Sequence, residues 1–403
     1  MSVTNMKKLI AYSVLLCCSL LPTEIRANDD INISGFGSLI GGFVLDGDGY
    51  WARQPYAAGQ YESGFEFKTE SRLGVQARYF LTDRTRITGQ LMMRGVHDFK
   101  PKLEWLYVSH DLTNDLSLHV GQMRLPVYHF SDFMDVGIAY PWLRVPSDAY
   151  SLAVTNFQGA GLQYNHHFDD IWVSVKGYGG QQDTDPNELI TTLSQFQKSQ
   201  RYNDDGHFVG VEGIRRVKNY RDMKGLALEV GYEWLSVRYS FLDHQEQFLR
   251  FEEGEYPSNS QSSGRWYDIH FKDFSIKVDT EKWFAIYEWN EYDGIYESWM
   301  TSVAYRVGKF TPYVYYTAFE EPNSRDIAPG GISAGFEDPD TGTLDVKYNT
   351  LAFGSRYDIN PRLALKVEYT IFTDKGDSAV FIDEDQDGIT DSKGLFVGLD
   401  FTF

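Results

Sequence analysis

The chain of 403 residues carries a formal net charge of −20 at pH 7, and this acidic balance disfavours a nucleic-acid partner. Its 27 Tyr, 27 Phe and 9 Trp occur in a sequence of negative mean hydropathy. Many aromatic residues without long apolar stretches are typical of strands that alternate apolar and polar residues. Beyond the first 27 residues, no run of the ~18 apolar residues that indicate a membrane-spanning helix occurs.

Residues 1–27 have the pattern of a secretory signal peptide. Lys7 and Lys8 precede the mostly apolar run LIAYSVLLCCSLL, and the small residue Ala27 ends the segment. That run is shorter than the ~20 residues that a helix needs to cross a bilayer, so we expect cleavage about Ala27 rather than an anchor. The only two cysteines lie in this segment, and the mature domain, residues 28–403, is therefore expected to have no disulfide bond.

The rest of the chain contains recurring segments of period-2 alternation, as long as the ~9 to 11 residues of a tilted membrane strand. In residues 72–80, Leu73 and Tyr79 share an apolar face, whereas Arg72 and Arg78 share a polar face. Similar segments occupy 86–94, 226–234, 235–241, 299–307 and 363–371. A soluble β-sandwich also alternates, but its core could not hold unpaired arginines, because burying a charge is costly.

Two kinds of connector alternate between these segments. Short turns are predicted near 81–85, 111–115, 166–170, 233–236, 278–282, 307–310 and 359–362. The other connectors are predicted at 44–62, 97–101, 126–155, 180–222, 244–264, 290–297, 320–344 and 374–392. This pattern predicts an all-β fold: a transmembrane antiparallel up-and-down β-barrel of about 16 strands, with short periplasmic turns and long extracellular loops.

Aromatic residues near the strand ends favour the barrel further. We expect eight of them on the apolar face, as a girdle at the membrane interface: Tyr79, Trp105, Tyr107, Tyr232, Trp234, Tyr305, Tyr357 and Tyr369. A closed barrel pairs its last strand with its first. The segments INISGFGSLIGGF (31–43) and LFVGLDFTF (395–403) are suitable for that pairing.

The final strand, which ends on Phe403, resembles the signal that outer-membrane proteins present to the barrel assembly machinery. The stretch VGQMRLPVYHFSDFMDVGIAYPWLRVPSDAYSLAVTNF, residues 120–157, resembles the strand and third outer loop of 16-stranded trimeric porins of Gram-negative bacteria. The resemblance implies that residues 126–155 form a constriction loop. It also implies a homotrimer in the outer membrane, in contact with lipid and lipopolysaccharide.

The sequence also offers candidate channel-lining charges. They are Arg72, Arg78, Arg86, Arg94, Arg124, Asp132, Asp135, Arg144 and Asp148. A turn at Asp83 would place Arg72 opposite Arg94. A basic wall could then face the loop carboxylates and set a field across the channel. Alternatively, the arginines could pair with Glu66, Glu70 and Glu104 and hold the wall together.

The candidate constriction loop is rich in aromatic residues. They are Tyr128, Phe130, Phe133, Tyr140, Trp142 and Tyr150. They could form a stacking surface for sugars, or they could pack the loop against the wall.

An acidic segment within the predicted loop 374–392 resembles a calcium loop. In DEDQDGITD, residues 383–391, the candidate ligands are Asp383, Asp385, Asp387, the Ile389 carbonyl and Asp391. Gly394 occupies the position of the usual bidentate acid, so a Ca²⁺ affinity of only ~10⁻⁴ to 10⁻³ M is expected. The alternative is a solvated acidic loop that attracts divalent ions diffusely. No cofactor is expected to be required.

The sequence contains no G-x-S-x-G or H-E-x-x-H motif, and we expect no enzyme activity. The favoured function is a porin for passive diffusion of small hydrophilic solutes and ions. Two alternatives stay open: a substrate-specific channel for sugars, carboxylates or anions, and a non-conducting barrel that acts as an anchor or adhesin through its loops.

Overall fold

The computed structural model describes residues 30–46, 50–54, 57–61, 64–152, 154–183, 215–251, 261–293, 295–320, 347–375 and 391–403. The predicted signal peptide lies outside these ranges. So do four of the five predicted calcium ligands, and Asp391 alone is described. None of the described helices is long and apolar enough to cross a membrane. They are three short 3₁₀ helices, Gly95–His97, Ser131–Phe133 and Gly137–Ala139.

Sixteen antiparallel strands form a closed barrel, which confirms the predicted fold class and strand number. In chain order they are β1 (Ile31–Asp46), β4 (Arg72–Thr82), β5 (Thr85–Arg94), β6 (Pro101–Asp111), β7 (Leu116–Arg124), β8 (Asn156–Phe168), β9 (Ile171–Gln182), β10 (Arg215–Tyr232), β11 (Leu235–Phe251), β12 (Gln261–Asp279), β13 (Trp283–Tyr292), β14 (Tyr296–Tyr305), β15 (Phe310–Glu320), β16 (Lys347–Asn360), β17 (Leu363–Asp374) and β18 (Ser392–Thr402). A separate hairpin, β2 (Tyr50–Gln54) and β3 (Ala57–Tyr61), lies between β1 and β4.

Barrel closure occurs where the sequence predicts it. Strand β1 pairs with both β4 and β18, and Phe36 lies opposite Thr402. The Gly35 N–H donates to the Phe403 carbonyl over 2.9 Å, and the Phe403 N–H donates back to Gly35 over 2.9 Å. All seven predicted short turns join neighbouring strands at one rim, which also carries the start of β1 and the end of β18. We call it the short-turn rim.

The two faces of the barrel wall differ in polarity. On β11, Val237 and Tyr239 point outward and are 37% and 44% exposed, whereas Arg238 and Ser240 point inward and are buried. Apolar residues therefore face outward and polar residues inward, which is the opposite of a soluble sandwich and the arrangement of a transmembrane barrel.

Several strands extend beyond their predicted ends. Strands β10, β11 and β12 have 18, 17 and 19 residues and continue into the predicted loops 180–222 and 244–264. A connector joins β13 to β14 within the predicted range 290–297, but it is shorter than predicted, because β13 ends at Tyr292 and β14 begins at Tyr296. In these extensions the outward face becomes polar, as at Asp243, so the apolar-outward pattern of a membrane strand ends although the backbone hydrogen bonds of the sheet continue.

Two of the eight predicted girdle residues, Trp105 and Tyr107, face the interior instead. The pairing of β5 with β6 shifts at this point: Gln90 lies opposite Trp105, and Leu91 lies opposite Leu103. Glu104 is the extra residue of this β-bulge, and it reverses the faces of the residues that follow. The girdle prediction was therefore wrong for these two residues.

Candidate functional site

The segment that joins β7 to β8 lies inside the barrel, and we call residues 126–155 the inner loop. A hydrogen bond of 2.7 Å from the Leu125 N–H to the Thr155 carbonyl closes its neck. Its described aromatic and charged residues are mostly buried; Trp142 and Tyr150, for example, have no exposed surface. The loop therefore lies in the interior of the barrel.

A cluster of three wall arginines binds the inner loop through Asp135. One carboxylate oxygen of Asp135 accepts hydrogen bonds from Arg94 over 2.9 Å and from Arg124 over 2.7 Å. The Arg72 guanidinium donates to the Asp135 carbonyl and to the Tyr140 hydroxyl, both over 2.9 Å. Arg94 also donates to Glu104 over 3.0 Å. These wall charges therefore touch the loop directly and are not separated from it by a gap.

The electrostatics of Asp135 follow from this geometry. Burial opposes ionisation of its carboxyl group, but the positive charges of Arg94, Arg124 and Arg72 outweigh burial and lower its pKa below the usual range for aspartate. Arg72 lies directly opposite Arg94 in the sheet, as the predicted turn at Asp83 requires. Two like charges at paired positions repel each other, and the negative charge of Asp135, which is hydrogen-bonded to Arg94 and near Arg72, offsets that repulsion.

A second attachment holds the loop to β16, β17 and β18. The Lys366 ammonium donates to the carbonyls of Gly137 over 2.7 Å and Tyr140 over 3.0 Å, and it pairs with Asp400 over 2.8 Å. Arg356 donates to the Ile138 carbonyl over 2.7 Å. A Cβ atom at Gly137 would lie 2.1 Å from an Asp400 carboxylate oxygen, so only glycine allows this close approach.

A third group of contacts lies on β13, β14 and β15. The Tyr150 hydroxyl donates to Glu288 over 2.5 Å, and the Trp142 indole N–H donates to Ser302 over 2.7 Å. Thr317 donates to the Asp148 carboxylate over 2.5 Å. The inner loop thus contacts walls on several sides of the barrel and crosses its interior.

Arg144 connects the inner loop with the segment that precedes β4. Its guanidinium donates to Glu70 over 2.7 Å and lies 3.6 Å from Glu368. It also lies 4.4 Å from the centre of the Phe396 ring. Glu70 accepts a further hydrogen bond from the Tyr61 hydroxyl over 2.9 Å. Arg144 is therefore part of a packed contact between the loop and the wall.

Most aromatic residues of the inner loop pack against one another. Tyr140 stacks on Trp142 at a centroid distance of 5.8 Å, and Phe130 contacts the edge of Trp142 at 5.4 Å. Of the six aromatic residues singled out from the sequence, Phe133 alone is exposed, at 54% of its surface. The other five are buried in the packing of the loop, so they do not form a continuous stacking surface for a solute.

A cavity of about 500 Å³ lies beside the inner loop, and we call it the lumen cavity. Wall residues that line it include Arg78, Trp105, Tyr107, His119, Lys176 and Tyr178. Asp132 and Phe133 line it from the loop, and Asp132 accepts a hydrogen bond of 2.6 Å from Lys176. Arg78 lies closer to the short-turn rim than Arg72, so the cavity lies on the short-turn side of the Asp135 cluster.

The remaining predicted lining residue, Arg86, lies near the short-turn rim and pairs with Asp111 over 2.7 Å. Sequence reasoning missed Lys176 and Tyr178 as residues of the interior; Lys366 falls on the polar face of the predicted strand 363–371 but was not singled out as a lining residue. The alternation of Trp172, Ser174, Lys176 and Tyr178 along β9 was the signal that could have identified Lys176 and Tyr178.

No group of three or more His, Cys, Asp or Glu residues that could hold a metal ion occurs in the described ranges.

No protein-family model and no curated protein matches the sequence. Solved structures do match. The outer membrane channel DcaP of Acinetobacter baumannii has a TM-score of 0.53 at 12% identity, with 93% of this chain and 97% of that chain covered. Salmonella typhi OmpF, in complex with daunomycin, has a TM-score of 0.52 at 12% identity, with 93% and 97% covered. The anion-selective porin from Comamonas acidovorans has a TM-score of 0.50 at 13% identity, with 93% and 100% covered. The chain thus has the fold of 16-stranded outer-membrane porins.

Proposed function

We propose that the protein is a porin-type channel of a Gram-negative outer membrane, through which small hydrophilic solutes and ions diffuse. The observation that carries this proposal is the closed barrel with an apolar exterior, a polar interior and a loop folded inside it. Sixteen tilted strands enclose a space too wide for wall side chains alone to fill. The inner loop occupies part of that space, and we assign it the role of narrowing the passage.

The electrostatics of the interior support a passage for charged and polar solutes. Inward-facing residues such as Arg78, Arg86 and Lys176 would be costly to bury in a dry core. In a channel they can be hydrated and can interact with passing ions. Diffusion through such a channel needs no cofactor and no catalytic step. Assembly as a homotrimer in contact with lipid and lipopolysaccharide, after removal of residues 1–27, completes the proposal on the basis of the sequence resemblance.

Planar-bilayer recording tests this proposal. The purified full-length mature chain, folded in detergent, should insert in discrete conductance steps whose current is linear in voltage and rises with KCl concentration. A heat-unfolded sample of the same preparation is the control and should give no steps. A preparation that retains its strand content by circular dichroism but never conducts would overturn the channel assignment and favour the anchoring barrel.

A further inference from the structure

The lumen between the inner loop and the short-turn rim has more basic than acidic side chains. On the described inner wall and the inner loop, five basic residues of this region pair with five carboxylates. The pairs are Arg86 with Asp111 over 2.7 Å, Lys176 with Asp132 over 2.6 Å, Arg238 with Glu229 over 3.4 Å, Arg306 with Asp279 over 2.8 Å and Arg356 with Asp358 over 2.8 Å. Two further basic residues, Arg78 and Lys277, have no ion pair within the described ranges. They leave the lumen wall there with an excess of positive charge.

Arg78 and Lys277 are both in contact with the water of the lumen. Arg78 lies on β4 and lines the lumen cavity. Lys277 lies on β12, two residues after the inward-facing Ser275, and its charge acts on the His129 ring of the inner loop. Both residues are half-buried. A close ion pair presents little net charge to a passing ion, whereas an unpaired cation attracts anions and repels cations.

The two unpaired charges lie on opposite walls. In the ring of sixteen strands, β4 and β12 are eight strands apart in either direction. Both residues also lie near the short-turn ends of their strands, because β4 ends at Thr82 and β12 ends at Asp279. A solute that crosses this part of the lumen therefore passes between them, and the potentials of two like charges add along its path.

The charge of the whole chain has the opposite sign. Its formal value of −20 would favour cations if every charge acted equally on the path. Salt prevents this, because the Debye length is about 10 Å at 0.1 M and about 3 Å at 1 M ionic strength. Acidic turn residues of the short-turn rim, such as Asp83 and Glu281, are exposed to the solution, where they are screened. The charges beside the path therefore decide which ions pass more readily.

We propose that the channel prefers small anions to small cations and that Arg78 and Lys277 set this preference. The inference rests on the proposed channel function and deepens it, since it names the charge class of the solutes. The two residues act on ions in transit through the potential of the lumen. Small inorganic and organic anions are thereby enriched in the passage relative to cations of the same size.

Reversal potentials in planar bilayers measure this preference. The full-length mature chain is recorded with about 1 M KCl on one side and about 0.1 M on the other, which limits the influence of distant charges. A pH of about 8 keeps histidine side chains of ordinary pKa uncharged. We expect a reversal potential whose sign reports a higher permeability for Cl⁻ than for K⁺. Equal or higher permeability for K⁺ would overturn this inference and leave the channel function intact, whereas a complete lack of conductance would overturn both.

Variants assign the preference to the two residues. Arg78→Gln and Lys277→Gln should each lower the ratio of Cl⁻ to K⁺ permeability about twofold, and the double variant should lower it further. Arg78→Lys and Lys277→Arg keep the charge and should retain most of the wild-type ratio, which separates an effect of charge from one of shape. Conductance steps in each variant show that its barrel has folded.

Arg84→Gln and Lys282→Gln are the matched controls. They remove the same charges from the exposed turns that follow β4 and β12, and they should change the permeability ratio little. If the variant that lacks both Arg78 and Lys277 has the same ratio as the variant that lacks both turn residues, the lumen cations do not set the preference and the inference is refuted.

Discussion

Replacement of Asp135 by Asn should release the inner loop from the wall of β4, β5 and β7. The substitution keeps the size of the side chain but removes the charge that Arg94 and Arg124 share at 2.9 and 2.7 Å. Glu104 then remains as the carboxylate for both guanidinium groups, with distances of 3.0 and 3.5 Å. Arg72 retains its bond to the backbone carbonyl of residue 135, so the attachment is weakened and not abolished.

The expected cost follows from the burial of the partners. Arg94, Arg124 and Asp135 are 3%, 8% and 6% exposed. Breaking a buried ion pair by removing one partner typically costs ~3 to 5 kcal/mol, because an uncompensated charge remains. The amide oxygen of Asn can still accept hydrogen bonds from the arginines but carries no negative charge, so the lower end, about 3 kcal/mol, is expected. That is roughly a hundredfold change in the equilibrium between the attached and the released loop.

Limited proteolysis of the folded protein in detergent measures this equilibrium, because a released loop is cleaved while the barrel stays intact. Denaturant unfolding followed by tryptophan fluorescence gives the global stability in parallel. Asp98→Asn is the matched control, since it removes a carboxylate from the exposed ion pair with Lys68 and should change neither readout. If Asp135→Asn resists protease as well as Asp98→Asn does, the arginine cluster does not hold the loop.

Three further results are expected. Because the pKa of Asp135 is lowered, its attachment to the arginines should persist from pH 7 to about pH 4. It should be lost only as the pH falls below the usual aspartate value of ~3.9. Loop cleavage that begins near pH 6 would contradict this. Gly137→Ala should displace the loop from Asp400 and speed its proteolysis. Gly64→Ala is the control, because no atom lies within 4 Å of the added Cβ, and it should not speed proteolysis. Equal proteolysis rates of the two variants would refute the close approach. Millimolar Ca²⁺ should raise the melting temperature of the wild type but not that of Asp385→Asn. An unchanged melting temperature of the wild type would count against the proposed calcium loop.

The sequence predicted the parts of the fold that depend on local alternation. The period-2 pattern in 72–80 and 86–94 and the turn at Asp83 sufficed to pair Arg72 with Arg94. The ends of β10 to β12 could not be predicted, because their outward faces become polar there, as at Asp243 and Asp268, whereas apolar residues such as Leu242 and Phe271 turn inward, which reverses the alternation of the membrane-facing part. The inward rotation of Trp105 depends on the bulge at Glu104, which has no periodic signal.

The candidate site was less accessible to sequence reasoning. The inner loop has no regular period, and its contacts join residues far apart in the chain, such as Trp142 with Ser302 and Gly137 with Lys366. The charged residues could be named from the sequence, but their partners could not. Within the described ranges, Arg78 has no ion pair, whereas Arg94 pairs with Glu104 and Asp135; this difference emerged only from the three-dimensional arrangement.

The role of the inner loop in the channel is tested most directly by single-channel recording of a shortened loop. In the variant, a short Gly-Ser linker replaces residues 137–145, which removes the contacts to Lys366, Ser302 and Glu70 but leaves the neck and the barrel strands unchanged. If ions pass through the space that the loop narrows, the variant should conduct several times more current per step than the wild type in the same salt. A variant that forms a folded barrel and conducts with steps of wild-type size would show that the loop does not limit passage.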